Sequence, residues 1–256
     1  MPDHIELRTP DEITRIRAAS LIVHDVLQAV IAAIEPGLTT LDIDRMAERA
    51  TLERGARPAF KGYHGYPAVI CVSVNDEVVH GIPSARRVLS EGDIVGLDFG
   101  VEYGGFYGDS AYTVAVGRAG EGAGRLIDTT REALARAIAA ARPDARVGDI
   151  GYAVQSFVEG RGYSVVRDFV GHGIGRKLHE APQIPNYGAP RTGVRLRPGM
   201  VLAIEPMVNA GAHEVRTLDD GWTAVTSDGS LSAHFEHTIA VTEDGPEILS
   251  LPRTAA

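Results

Sequence analysis

The feature that most constrains this chain is that much of it is written twice. Pro36, Asp42-Ile43 and Arg54-Gly55 return 107 positions later as Pro143, Asp149-Ile150 and Arg161-Gly162. The same shift carries Leu89-x-x-Gly92 onto Leu196-x-x-Gly199 and Asp98 onto Glu205. Asp109 is echoed by Glu236 at an offset of 127, and His80-Gly81-Ile82 by His172-Gly173-Ile174 at an offset of 92. Repeats of about 20–50 residues build solenoids. A repeat this long predicts instead two similar halves facing each other, about 10–118 and 122–245. Carboxylates duplicated at equivalent strand positions then meet across the seam, which is one way to build a metal site.

The changes of offset locate insertions. Gly55 to His80 spans 25 residues, against 10 from Gly162 to His172; His80 to Leu89 spans 9, against 24 from His172 to Leu196. Asp98 to Asp109 spans 11, against 31 from Glu205 to Glu236. The inserted stretches carry Gly62-Tyr63-His64-Gly65-Tyr66-Pro67, Arg176-Lys177-Leu178-His179 and Asp220-Gly221-Trp222. Aromatic residues on loops beside a candidate site suit a substrate pocket, or packed surface loops.

Local patterns repeat the plan. Thr9-Pro10-Asp11-Glu12 reads as a capping box with proline at the first helical position, and apolar residues keep helical spacing from Ile13 to Ile34 before Pro36-Gly37. Further helices are predicted over 41–54, 124–142 and 149–159, and strands over 69–74, 94–99, 111–116, 165–166, 201–204 and 237–241. Strands following helix pairs predict an α+β fold, with helices packed outside antiparallel sheet. No linker separates the halves, so residues 1–256 are expected to form one domain.

Composition narrows the function. A formal charge of −9 without a Lys/Arg run argues against direct nucleic-acid binding. Cys71 is the only cysteine, so no intrachain disulfide forms and a reducing compartment fits. With no long apolar run and a start that is not a signal peptide, the expectation is a cytoplasmic protein with no membrane contact.

The chemistry sits in the repeated acids. Asp98 and Asp109, on adjacent predicted strands, could share a cation or form an acid/base dyad. Glu205 and Glu236 lie in apolar stretches, Ala203-Ile204-Glu205-Pro206-Met207 and Phe235-Glu236-His237, where an ionised carboxylate is costly unless paired or ligated. His172 sits among glycines in Gly171-His172-Gly173-Ile174-Gly175, with His179 seven residues on. Four carboxylates and an imidazole suit two divalent ions such as Mn, Fe, Co or Zn. No P-loop, dinucleotide fingerprint or nucleophile elbow is present.

These segments, with Asn75-Asp76-Glu77-Val78-Val79-His80-Gly81-Ile82-Pro83, His179-Glu180 and Phe235-Glu236-His237-Thr238, resemble the type I methionine aminopeptidases over about residues 5–250. The resemblance implies the duplicated pita-bread fold and removal of the initiator methionine from peptides and nascent chains with a small second residue, a metal-activated water attacking the first peptide bond. It implies that Asp98, Asp109 and Glu236 hold one ion and Asp109, His172, Glu205 and Glu236 the other. It gives Glu205 the proton shuttle, His179 the oxyanion contact and His80 the scissile amide. It makes Tyr63, Tyr66, Cys71 and Trp222 the methionine pocket, with Phe60 where the family often has Cys and Leu178 where it often has Phe. A monomer with transient ribosome contact is expected, and Met1-Pro2 fits the substrate rule. The alternatives are a Pro-specific relative, separable with Pro-containing dipeptides, and a non-catalytic binding protein, which typically loses ligands that are all present here.

Overall fold

The structure is a computed structural model that describes residues 5–253, so the Met1-Pro2 start lies outside it. Helices α1 (Pro10–Ile31) and α2 (Thr40–Glu53) are followed by β1 (Arg57–Pro58), β2 (Cys71–Val74), β3 (Glu77–Val79), β4 (Ile94–Tyr103) and β5 (Phe106–Ala115). Helices α3 (Glu121–Ala140) and α4 (Val147–Glu159) precede β6 (Ser164–Val165), β7 (Gly171–Gly173), β8 (Glu180–Ile184), β9 (Val201–Ile204) and β10 (Met207–Asn209). The chain finishes with β11 (Val215–Thr217), β12 (Ala224–Thr226), β13 (Ser232–His234), β14 (His237–Thr242) and β15 (Gly245–Ile248).

The repeated letters turn out to be caps, core and stops. Asp42 accepts from the Thr39 N–H at 3.3 Å and Asp149 from the Arg146 N–H at 2.7 Å, so each closes the first turn of its helix from the third position. Each is followed by a fully buried isoleucine, Ile43 or Ile150. Gly55 (φ +69°) and Gly162 (φ +79°) take the left-handed conformation that ends the helix, which a side chain would strain. A cap is worth about 1 kcal/mol, whereas truncating either isoleucine to alanine costs about 2–5 kcal/mol.

Element ends differ from the expected ones for physical reasons. After Ile31 the chain tightens into i→i−3 bonds (Ala33 N–H to Val30 O, 3.0 Å; Ile34 N–H to Ile31 O, 3.2 Å) because Pro36 disfavours helix in the residue before it. Helix α3 begins at Glu121 and stops at Ala140 ahead of Pro143, and α4 begins at Val147 because Asp149 is its third residue, bonded back to the Arg146 N–H, rather than its start. Strands β4 and β5 extend to a hairpin turning at Gly104-Gly105, longer than the sequence pattern predicts because glycine at 100, 104, 105 and 108 reads as loop.

All strand pairings are antiparallel. The sheet β1-β4-β2, with β5 on β4, belongs to the first half, and the five-stranded β15-β14-β9-β7-β8 to the second. Helix α1 lies across β4 and β5, and α3 packs on α4 and the sheets of the second half. One core gathers Val23, Leu27, Ile43, Ile70, Leu97 and Phe99; another gathers Leu126, Ile150, Val154, Leu202, Ile204 and Ile239. Tyr112 packs against both.

The halves join where the acids are. The Asp109 N–H donates to Thr238 Oγ1 (3.2 Å), whose hydroxyl donates back to Asp109 O (2.8 Å). The Glu236 N–H donates to Ala111 O (2.9 Å), and Thr113 exchanges bonds with the backbone of His234 (2.9 and 2.8 Å). A second link is the sheet β11-β12-β3, in which Val79 of the first half pairs with Ala224 of the second.

Candidate active site

Strand register sets the positions of the acids. Asp98 lies opposite Ala111 and Asp109 opposite Gly100, so the two acids are diagonal neighbours on one face of the β4–β5 hairpin. Cys71 on β2 lies opposite Asp98. In the other half His237 pairs with Ile204, which leaves Glu205 and Glu236 as adjoining residues at the same strand ends, while His172 pairs with Ala203.

One cavity of about 230 Å³ is lined by every residue singled out in the sequence: Phe60, Tyr63, Tyr66, Cys71, His80, Asp98, Asp109, His172, Leu178, His179, Glu205, Trp222 and Glu236. His64 lines it as well. Ligand atoms of Asp109, His172 and Glu236 lie within 4.8 Å of one another, and all three residues are buried. Asp98 and Glu205 border the same cavity outside this trio, with Glu205 Oε1 3.6 Å from His172 Nε2.

The electrostatics are those of a site built for cations. Burial pushes the carboxyls of Asp98, Asp109, Glu205 and Glu236 above their usual range, and for all but Glu205 neighbouring acids push them further. Asp109 Oδ1 and Glu236 Oε1 are buried without a hydrogen-bond donor. Such oxygens are costly to bury unless a positive charge meets them. The His172 Nδ1–H donates to Gly173 O (2.9 Å), which leaves Nε2 unprotonated and free to ligate. Its pKa is held down to about 3, first by burial and then by His179. Oxygen and imidazole donors without thiolate therefore fit a first-row divalent ion, and the residues present suit such a cofactor.

The rest of the cavity is apolar. Phe60, Tyr66, Cys71 and Leu178 are buried in one cluster with Tyr63 and Trp222. The Tyr66 hydroxyl donates to Gly81 O (2.9 Å), so the ring presents only its hydrocarbon faces. Burial, then Asp98, drives the Cys71 thiol pKa well up, making it an inert wall rather than a ligand.

A model of metallopeptidase family M24 matches residues 14–243. This chain belongs to that family. Among M24 relatives, the methionine aminopeptidase of Clostridium perfringens is 50% identical over 247 residues, covering 96% of this chain and 99% of that protein. Methionine aminopeptidase 1 of Bacillus subtilis is 50% identical over 243 residues, 95% and 98% of the two chains. The crystal structure of methionine aminopeptidase from Thermotoga maritima matches with a TM-score of 0.96 at 50% identity, covering 97% of this chain and all of that one. The fold is the M24 pita-bread fold, and the protein is a metal-dependent hydrolase of that family.

Sequence reasoning missed one buried residue at this site. His234 places Nε2 3.6 Å from Glu205 Oε2, and burial keeps its imidazole neutral. The signal was available: His234 is a polar residue in an apolar run, as Glu236 is, in Ser232-Ala233-His234-Phe235-Glu236.

Proposed function

We propose that this chain removes the N-terminal methionine from peptides and nascent proteins whose second residue is small, with two divalent ions held by Asp98, Asp109, His172, Glu205 and Glu236. The observation that carries this reading is the junction, within one cavity, of a thioether-sized apolar wall and a buried cluster of ligands. Ions bound there would make a water acidic enough to ionise near neutral pH and polarise the first peptide carbonyl.

The chain's own residues do the rest. Tyr63, Tyr66, Cys71, Trp222, Phe60 and Leu178 enclose the methionine side chain and exclude water from it. Glu205, with its pKa raised by burial, takes the proton from the attacking water and passes it to the leaving amine. His179 is assigned to the carbonyl: Tyr63 Oη lies 2.9 Å from its Nδ1, and a hydroxyl donating there would put the ring proton on Nε2, available to the developing oxyanion. His80, its pKa held down to about 4 first by burial, meets the scissile amide as a neutral ring. Carboxylates at the Asp98 end receive the α-amine, which restricts cleavage to the first bond.

On this reading the halves act as one catalytic unit, working as a monomer in the cytoplasm with passing contact to the ribosome. A buried lone cysteine, and the lack of any helix among the described residues long and apolar enough to cross a membrane, support that setting. The test is release of free methionine from Met-Ala-Ser by chelated protein reloaded separately with Mn²⁺, Fe²⁺, Co²⁺ and Zn²⁺. Release restored by at least one ion is expected. No release with any ion from folded protein, or faster cleavage of Pro-containing dipeptides, overturns the reading.

A further inference from the structure

We propose that Arg8 is a positioning residue for His179, acting through the carboxylate of Glu180. Arg8 comes from the segment ahead of α1, yet it is only 6% exposed. Its guanidinium donates to Glu6 and to Glu180 Oε2. The other oxygen of the same carboxylate, Glu180 Oε1, accepts from the backbone N–H groups of Arg176 (2.8 Å) and Lys177 (2.9 Å). The loop that ends in His179 is thus wound around a single carboxylate, and Arg8 supplies the charge that fixes it.

The fit is close on both sides. A Cβ added at Gly175 would come within 2.6 Å of Arg8 Nε and Nη2, so the guanidinium lies directly on the backbone where this loop begins. The Gly175 carbonyl accepts from the Tyr107 N–H (2.8 Å), and the Arg8 N–H donates to Gly199 O (2.7 Å), so Arg8 and the loop are both anchored. Charge-assisted hydrogen bonds are short and directional, and Arg8 makes two of them from one planar fork. An oxyanion donor works only when held within about 0.5 Å of its productive position. A buried cation that holds the carboxylate of the residue following His179 is suited to that task, and an apolar side chain of the same size is not.

This inference rests on the oxyanion role given to His179 above, and its test separates the two. Methionine release and thermal melting are measured for wild type, Arg8→Met, His179→Ala and the double variant, all reloaded with the ion that best supports wild-type turnover. Arg8→Met is expected to lower kcat about 10- to 100-fold with little change in KM, the loss typical of a catalytic group displaced by about 1 Å. On the His179→Ala background the same change is expected to cost less than about twofold, because there is no longer a ring to position. Arg8→Lys, which restores charge without the fork, should recover part of the lost kcat. In metal-free Arg8→Met, the His179 ring resonances should shift while those of His24 stay in place. Equal kcat losses in both backgrounds, or a lowered melting temperature with unchanged kcat, would overturn the proposal. If Arg8→Met does not fold, Glu180→Gln carries the same cycle. Absence of turnover in wild type would count instead against the proposed function.

Discussion

His80 and His179 reach the same cavity from different halves of the chain, and each is held in part by residues from outside its own half. The grip differs. His80 directly follows β3, the strand paired to β12, and stands edge-on to Phe169 (5.3 Å between centroids) and Trp222 (6.1 Å). His179 ends a loop held by charge, from Arg8 and Glu180 within and from the Glu12–Arg176 pair (3.0 Å) at the surface. One ring is clamped by apolar packing, whose energy is non-directional, and the other by hydrogen bonds, whose energy depends on angle. On the proposed roles, the ring given the looser geometric task is held by packing, while the ring assigned to the oxyanion sits on a loop tied by directional bonds.

The bluntest way to break the comparison is to remove what both rings serve. Glu205→Gln should lower kcat by about 10²–10⁴-fold with the melting temperature maintained, and on that background neither histidine variant should cost much more. In the intact enzyme, single-variant kinetics should split the two arms. His179→Ala is expected to lose about 10²–10³-fold in kcat, and His80→Ala about 10- to 100-fold with KM rising as well. The clamp itself is read by Phe169→Leu, which removes an aromatic contact and should cost about two- to tenfold in kcat/KM.

The acids between the two arms answer to pH. Burial lowers the pKa of His80, His172, His179, His234 and His237, so their contribution to the slope ends only about one unit above the usual imidazole value, at about pH 7.5, where the unfolded chain has also lost those protons. Asp98 and Glu205, raised to about 7 and about 8, still hold protons in the fold that the unfolded chain has released. Above that point the folded state binds more protons, so metal-free stability should fall as pH rises from about 7.5 to about 8.5, by at most about 1.4 kcal/mol per pH unit for each proton. Added Mn²⁺ should reverse the trend, because binding displaces those protons. Melting curves with and without the ion check the sign. The smallest effect belongs to the exposed end of the charged grip: Glu12→Gln should change kcat by about twofold or less in steady-state assays, as surface pairs contribute little.

The comparison also shows what sequence can reveal. Asp42 and Asp149, Ile43 and Ile150, and Gly55 and Gly162 were legible as a repeat because caps, core positions and stops are local and act within a few residues. The acids and histidines of the cavity stood out because polar residues in apolar runs need a reason to be there. Arg8 and Glu180 lie 172 positions apart, and no local pattern marks a pair made only by tertiary approach. His234 is hard to single out for a different reason: it stands two residues before Glu236, and its approach to Glu205 (3.6 Å) is made only by tertiary contact. The long β4–β5 hairpin was hidden by glycines that elsewhere punctuate loops.

The three groups within reach of a single ion come from β5, β7 and the residue just before β14, a span from Asp109 to Glu236. Neither half alone can offer that set, and the seam that aligns it is closed by bonds such as those between Thr238 and Asp109. A chain still being synthesised, or one with its halves apart, is therefore a poor chelator and chemically silent. The ligand set doubles as a reporter of assembly, since its three members come together only where the two halves have joined.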